Sequence, residues 1–263
     1  MVVLLHGLHS SKEELAFIEA GLKRSGVSCH LLEVQGYTAS RTLDPKNSGV
    51  AWRSWLDEIV GKLRELQALH GPVVLAGIST GANLSIAAAL TAPETLAGVI
   101  PLSTSIFLDG WSVPWYSFLL PLAYYTPVGF FWTYKETPPY GVKDERIRQW
   151  IARELATRGM SATGNSSIPN AYLRENHRLR CWLRKTLTKN VCHVPILAIQ
   201  AQDDELTSLT NLHFLEKNWS QEHFNQLILK DSYHMICIDR ERAKVTDAII
   251  EFAASITNSS SSN

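Results

Sequence analysis

Val73-Val74-Leu75-Ala76-Gly77-Ile78-Ser79-Thr80-Gly81, running into the small-residue stretch Ala82 to Ala92, decides the fold of this 263-residue chain. The first four residues read as a short buried strand and the last eleven as a helix. Gly-x-Ser-x-Gly between a strand and a helix reads as a nucleophile elbow. Such a turn forces strained backbone angles on the serine and lifts its Oγ above the sheet. Gly77 and Gly81 allow strand and helix to pack without a Cβ between them. The free N–H groups of the new helix point at the site, which suits a developing oxyanion.

Outward from the elbow, apolar runs alternate with helical periods. Val2–Leu5 and Cys29–Val34 read as strands, residues 12–25 as a helix stopped by Gly26, and Trp52–Leu69 as a long amphipathic helix ending before Gly71-Pro72. Gly98–Leu102 is the next strand. The alternation predicts an α/β fold, a mostly parallel sheet with helices on both faces. It stops at about Asp109 and resumes after Val191. Strands are expected at Ile196–Ala201 and Gln226–Leu229, with helices at Leu206–Asn218 and Arg240–Ile256. Residues 1–108 and 192–257 are therefore expected to form one core. Residues 109–191 are expected to form an inserted, aromatic-rich helical cap without strands, and 258–263, all Asn and Ser, a disordered tail.

Twenty-five basic residues balance 25 acidic ones, which argues against a general affinity for nucleic acid or an anionic membrane. Four scattered cysteines form no Cys-x-x-Cys and fit free thiols in a reducing compartment, hence a cytoplasmic protein without structural zinc. Met1 leads straight into Val2–Leu5, with no basic segment or cleavage site ahead of it, so no signal peptide is expected.

A nucleophilic serine needs a base in hydrogen-bond reach, and the base needs an orienting carboxylate. Behind an elbow of this kind the chain order is Ser, Asp or Glu, then His, with both partners after late strands. That order occurs once. Asp203-Asp204-Glu205 follows one late strand and His234 the next. Asp204 is the first choice of acid, Asp203 the second and Glu205 the third, because one residue of register decides which side chain meets the imidazole. His6 precedes the serine and reads as structural. The His6-Gly7-Leu8 turn after the first strand offers a backbone N–H from Leu8 to an oxyanion, and Thr80 offers the second. A histidine base implies activity that rises with pH through a value near neutrality.

With these residues in place, the chain resembles the bacterial carboxylesterase and monoacylglycerol lipase branch of the α/β-hydrolase superfamily. Leu4-Leu5-His6-Gly7 is similar to the oxyanion turn of that family, Gly77–Gly81 to its elbow, 201–205 to its acid loop and 232–239 to its His loop. The resemblance favours Asp204, since in such proteins the acid directly precedes a Glu. It implies a serine hydrolase of short-to-medium acyl esters or monoacylglycerols that needs no cofactor or metal. The same groups would serve a thioesterase, an acyltransferase, a carbon–carbon bond hydrolase or a non-catalytic binder of apolar ligands. In that family one or two strands precede the His-Gly strand, and the resemblance implies that they are missing or truncated ahead of His6-Gly7 here.

Trp111, Trp115, Phe118, Tyr124, Phe130 and Trp132 crowd the start of the insert. They are expected to fold over Ser79 as the lining of an apolar acyl pocket. The competing reading is a membrane or partner surface. Proline breaks and interspersed polar residues favour the lining, so the expected partner is a small ester with an apolar acyl group rather than nucleic acid or membrane.

Overall fold

The structure, a computed structural model, describes residues 1–39, 51–126, 133–135, 137–161, 164–165 and 167–260. Its centre is a six-stranded sheet of β1 (Val2–Leu5), β2 (Cys29–Leu32), β3 (Val74–Ile78), β4 (Gly98–Leu102), β9 (Ile196–Ala201) and β10 (Phe224–Leu229). The order across the sheet is β10-β9-β4-β3-β1-β2, and every neighbouring pair is parallel. β1, β3, β4 and β9 are buried along their whole length, which explains why their sequences are continuous apolar runs rather than alternations.

Helices cover both faces. α1 (Ala16–Arg24) and α8 (Arg242–Ser260) pack together on one side, over a core that includes Leu4, Ile18, Ile100 and Ile249. On the other side lie α2 (Trp52–His70) and α3 (Thr80–Thr91). α2 buries Trp52, Trp55, Leu56, Ile59 and Leu63, the spacing of a single helical face, and stops at Gly71 with φ 77°. α3 is buried on nearly every side, which only its Gly, Ala and Ser residues permit.

Between β4 and β9 the chain makes α4 (Leu120–Tyr125), β5 (Thr133–Lys135), α5 (Glu145–Arg158), β6 (Met160–Ser161), β7 (Gly164–Asn165), β8 (Ser167–Pro169) and α6 (Asn170–Leu187). The insert is thus mainly helical but not free of strands. β5 pairs antiparallel with β8, and β6 pairs with β7 between α5 and α6. Such pairs of two or three residues are too short for a period-2 pattern to register. α5 starts at Asp144, whose carboxylate accepts the N–H groups of Arg146 and Ile147. α6 buries Leu179, Leu183 and Leu187 in the same core as α3.

Two further boundaries differ from the sequence reading. α7 covers only Thr210–Lys217, because the residues expected to open it are held in a turn by Asp204 and Asp109. α8 continues to Ser260 into the Asn/Ser run, so 258–260 are helical. Among the described residues, no helix is long and apolar enough to cross a membrane.

Candidate active site

The chain runs from β1 outward to β2 and then returns to the other side of β1 as β3. The sheet order therefore reverses between β1 and β3, the place at which open α/β sheets bind ligands, outside the carboxyl ends of their strands. Leu5 pairs with Gly77 across that gap, which sets His6-Gly7 beside Ile78-Ser79. Ser79 has φ 56° and ψ −114°, a costly conformation for a residue with a side chain. The flanking glycines make the turn sterically feasible. A Cβ on Gly77 would sit 2.3 Å from the Gly81 carbonyl oxygen, and one on Gly81 would sit 2.4 Å from that of His6.

His234 Nε2 lies 3.0 Å from Ser79 Oγ, and its Nδ1 lies 2.8 Å from Asp204 Oδ2. Serine, histidine and carboxylate thus form one continuous chain, with His234 and Asp204 both buried. Asp204 is fixed from four directions. Its Oδ1 accepts the N–H groups of Leu206 and Thr207, while Oδ2 accepts Thr207 Oγ1 at 2.8 Å and Gln200 Nε2 at 3.1 Å. The His loop is held as firmly. Ser103 Oγ donates to the His234 carbonyl at 2.6 Å, Met235 N–H donates to Gly141, and the Asp239 carboxylate accepts N–H groups of Tyr233, Lys143 and Asp144.

The three adjacent carboxylates have separate surroundings. Asp203 turns outward to Lys143 Nζ at 2.9 Å, and Lys143 also reaches Asp231 at 3.3 Å. Glu205 is buried, and its Oε2 accepts the main-chain N–H of His234 at 3.1 Å. Burial pushes the Glu205 carboxyl above the usual range, against the opposing pull of His234. For His234, burial works against the charged ring. The charge and hydrogen bond of Asp204, with smaller contributions from Glu205 and Glu14, outweigh it and raise its pKa from 6.5 to about 9.

Ser79 N–H donates to Leu102 and Gly7 N–H to the buried Glu14 carboxylate at 2.7 Å. Among the described residues, the N–H groups of Leu8 and Thr80 have no protein acceptor. Thr80 directly follows the serine, and Leu8 lies in the turn after β1, whose last residue pairs with Gly77. His6 takes no part in that chain. Its ring stacks on Tyr37 at 4.9 Å and contacts Gly7 O and Thr38 Oγ1, each at 2.8 Å, and burial lowers its pKa to about 4.

The aromatic candidates behave differently from the expectation. Trp115 and Phe118 are exposed and touch chiefly each other and Tyr116. Trp111 is also exposed, with its indole N–H on the Asp203 carbonyl and its edge against Tyr233. Tyr124 is buried, but beside His177 on α6. These residues thus form no closed lining over Ser79, because α4 packs by one side on α6 and leaves its other side to solvent. Phe130 and Trp132 lie outside the described residues.

Sequence reasoning missed Glu14, Ser103, Gln200 and Thr207. Only Gln200 carried a signal, as a polar residue inside an otherwise apolar strand.

The family profile for serine aminopeptidases, S33, of the Hydrolase_4 group matches residues 1–241, most of the chain. The protein belongs to that family. A search of curated protein sequences yields no match. Among solved structures this hydrolase is similar to the monoglyceride lipase of Saccharomyces cerevisiae, solved as a soluble variant with a substrate analogue. That pair has a TM-score of 0.78 and 14% identity over 97% of this chain and 86% of the other. A metagenome-derived lipolytic enzyme from work on LipS and LipT gives 0.76 and 19%, over 97% and 93%. The monoacylglycerol lipase of Paleococcus ferrophilus gives 0.75 and 16%, over 97% and 94%. At these identities the likeness shows the α/β-hydrolase fold, with the mostly parallel sheet and inserted cap read from the sequence.

Proposed function

We propose that this hydrolase cleaves carboxylic esters of short-to-medium acyl chains or monoacylglycerols, with Ser79 as nucleophile, His234 as base and Asp204 as the orienting acid. The reading rests on one observation, the unbroken hydrogen-bond chain from Ser79 Oγ through both ring nitrogens of His234 to Asp204. Ser79 attacks the ester carbonyl while its proton passes to His234 Nε2. The N–H groups of Leu8 and Thr80 receive the oxyanion, and Asp204 stabilises the imidazolium. His234 then returns the proton to the leaving alcohol, and water activated by the same ring releases the acid. Residues 109–191 act as the cap, and the cytoplasm is the proposed location.

The test is kcat/KM on p-nitrophenyl esters of graded acyl length, beside matched thioesters and amino-acid amides. Each methylene that fits should add roughly fourfold, the equivalent of about 0.8 kcal/mol, until the site is full. The amide arm addresses the family's aminopeptidase description. Amide turnover without ester turnover would refute the ester assignment, as would no turnover in any arm.

The pH profile carries a second expectation. The imidazole must be neutral to accept the serine proton, and the surrounding carboxylates favour its charged form. Activity should therefore rise with pH along a limb displaced above the ordinary imidazole value, toward about 9, rather than centred near neutrality. Glu205→Gln keeps an acceptor for the His234 N–H but removes a charge, so it should move the limb down. A wild-type limb below the ordinary imidazole value would contradict this electrostatic account.

A further inference from the structure

The turn that carries Leu8 is held by a carboxylate outside the triad. Glu14 belongs to a short 3₁₀ turn, Lys12–Leu15, in which Lys12 and Glu13 face solvent while Glu14 and Leu15 are buried. Its Oε2 accepts the Gly7 N–H at 2.7 Å. The His6 carbonyl, at the other end of the same peptide group, accepts the Tyr37 hydroxyl at 2.7 Å. The next peptide group is held by its carbonyl. Gly7 O lies 2.8 Å from His6 Nδ1, which must be the donor since a carbonyl can only accept, and 3.3 Å from the donating Ser10 N–H. In a planar trans peptide the N–H points away from the C=O. The two pinned planes therefore fix the direction of the Leu8 N–H, which has no acceptor among the described residues.

From this geometry we propose that Glu14 is a positioning residue of the hydrolytic site. By holding the Gly7 N–H it aims the Leu8 N–H at the oxyanion, and its charge supports the imidazolium of His234 during acyl transfer. This role presupposes the Ser79 and His234 chemistry proposed above. A buried carboxylate is costly, and a neutral amide oxygen would accept the same main-chain N–H. The place of the charge gives a reason for it. Against the cost of burial, Asp204 first, then Glu205 and Glu14, favour the charged ring of His234. Burial first and Glu14 second push the Tyr37 hydroxyl and the Cys237 thiol upward, so the same carboxylate acts on the turn after β2, the His loop and the base.

The hydrogen bond and the charge have separate signatures. The oxyanion exists only beyond the ground state, so a misaimed Leu8 N–H lowers kcat and leaves KM nearly unchanged. The charge acts on the ring instead. Removing a nearby negative charge makes the imidazolium less favourable, so His234 loses its proton at lower pH and the rising limb of activity moves down. A side chain that only supported the fold would move neither quantity in the folded protein.

The experiment compares the wild type with Glu14→Leu and Glu14→Gln in two assays. One gives kcat and KM on a p-nitrophenyl ester across pH. The other gives the rate of inactivation by a fluorophosphonate, whose phosphoryl oxygen takes the oxyanion's place and which needs no ester turnover. Glu14→Leu should lose about tenfold or more in kcat and in inactivation rate, with KM within about twofold of the wild type. Glu14→Gln keeps an acceptor for the Gly7 N–H, so it should recover most of that loss and show a limb at lower pH. Circular dichroism and melting temperature establish that the variants are folded. If Glu14→Leu is not, Glu14→Asp takes its place. Its shorter side chain withdraws the acceptor but keeps the charge, so it should slow both reactions along the wild-type limb. Wild-type rates in the folded Leu or Asp variant, or an unshifted limb in Glu14→Gln, would overturn the proposal. A wild type that is labelled by the probe but inert toward esters would refute the ester assignment alone, and the inactivation rates would still decide the role of Glu14. A wild type that is neither labelled nor active would overturn both.

Discussion

Ser79→Ala should abolish ester hydrolysis, with a fall in kcat of more than about 10³-fold. The substitution removes one oxygen from the hydrogen-bond chain and leaves the packing of the elbow in place, because the glycines on either side make the close contacts. The strained φ of 56° at this position remains whichever side chain is present, so the melting temperature should change little. A fluorophosphonate probe should label the wild type and miss the variant. Labelling of another serine in Ser79→Ala, or residual hydrolysis near the wild-type rate, would show that the nucleophile lies elsewhere.

Asp204→Asn should be nearly as damaging, on the order of 10³-fold or more in kcat, while Asp203→Asn should cost little. The structure supplies the reason for the difference. Asp204 is buried and holds His234 Nδ1 at 2.8 Å while accepting from Gln200 and Thr207 on the same oxygen. An amide there presents either an N–H to donors already in place or a weaker acceptor to the ring, and it removes the charge that stabilises the imidazolium. Asp203 instead pairs with Lys143 at a half-exposed position, where a salt bridge contributes little. Because the Asp204 charge is a main contributor to the raised His234 pKa, the residual activity of Asp204→Asn should also follow a pH limb at lower pH than the wild type. Equal small losses from both substitutions would place the acid at another residue.

The sequence by itself determined the parallel sheet, the elbow and the chain order of the serine, carboxylate and histidine of the proposed triad. Those features are local. A short apolar run bounded by turn residues, repeated between helical periods, reads as a buried strand. A serine with glycines two residues to either side marks a turn in which β3 and α3 nearly touch. The position of His234 was legible for the same reason, as a loop residue directly after the last strand.

Tertiary structure alone decided what depended on distant partners. The sequence reading puts Asp204 first of three consecutive carboxylates, but nothing local to them turns one inward. Here Thr207 and Gln200 turn Asp204 inward, Lys143 draws Asp203 outward, and the His234 main chain occupies Glu205. The support of Gly7 by Glu14 was equally invisible, because its only signature is burial. The clearest difference lies in the aromatic segment. Hydrophobicity indicates that Trp115 and Phe118 favour leaving water, but not which surface receives them. In the folded chain α6 takes up one side of α4 and, among the described residues, no element covers the other, so the driving force that the sequence assigned to a pocket is left facing outward.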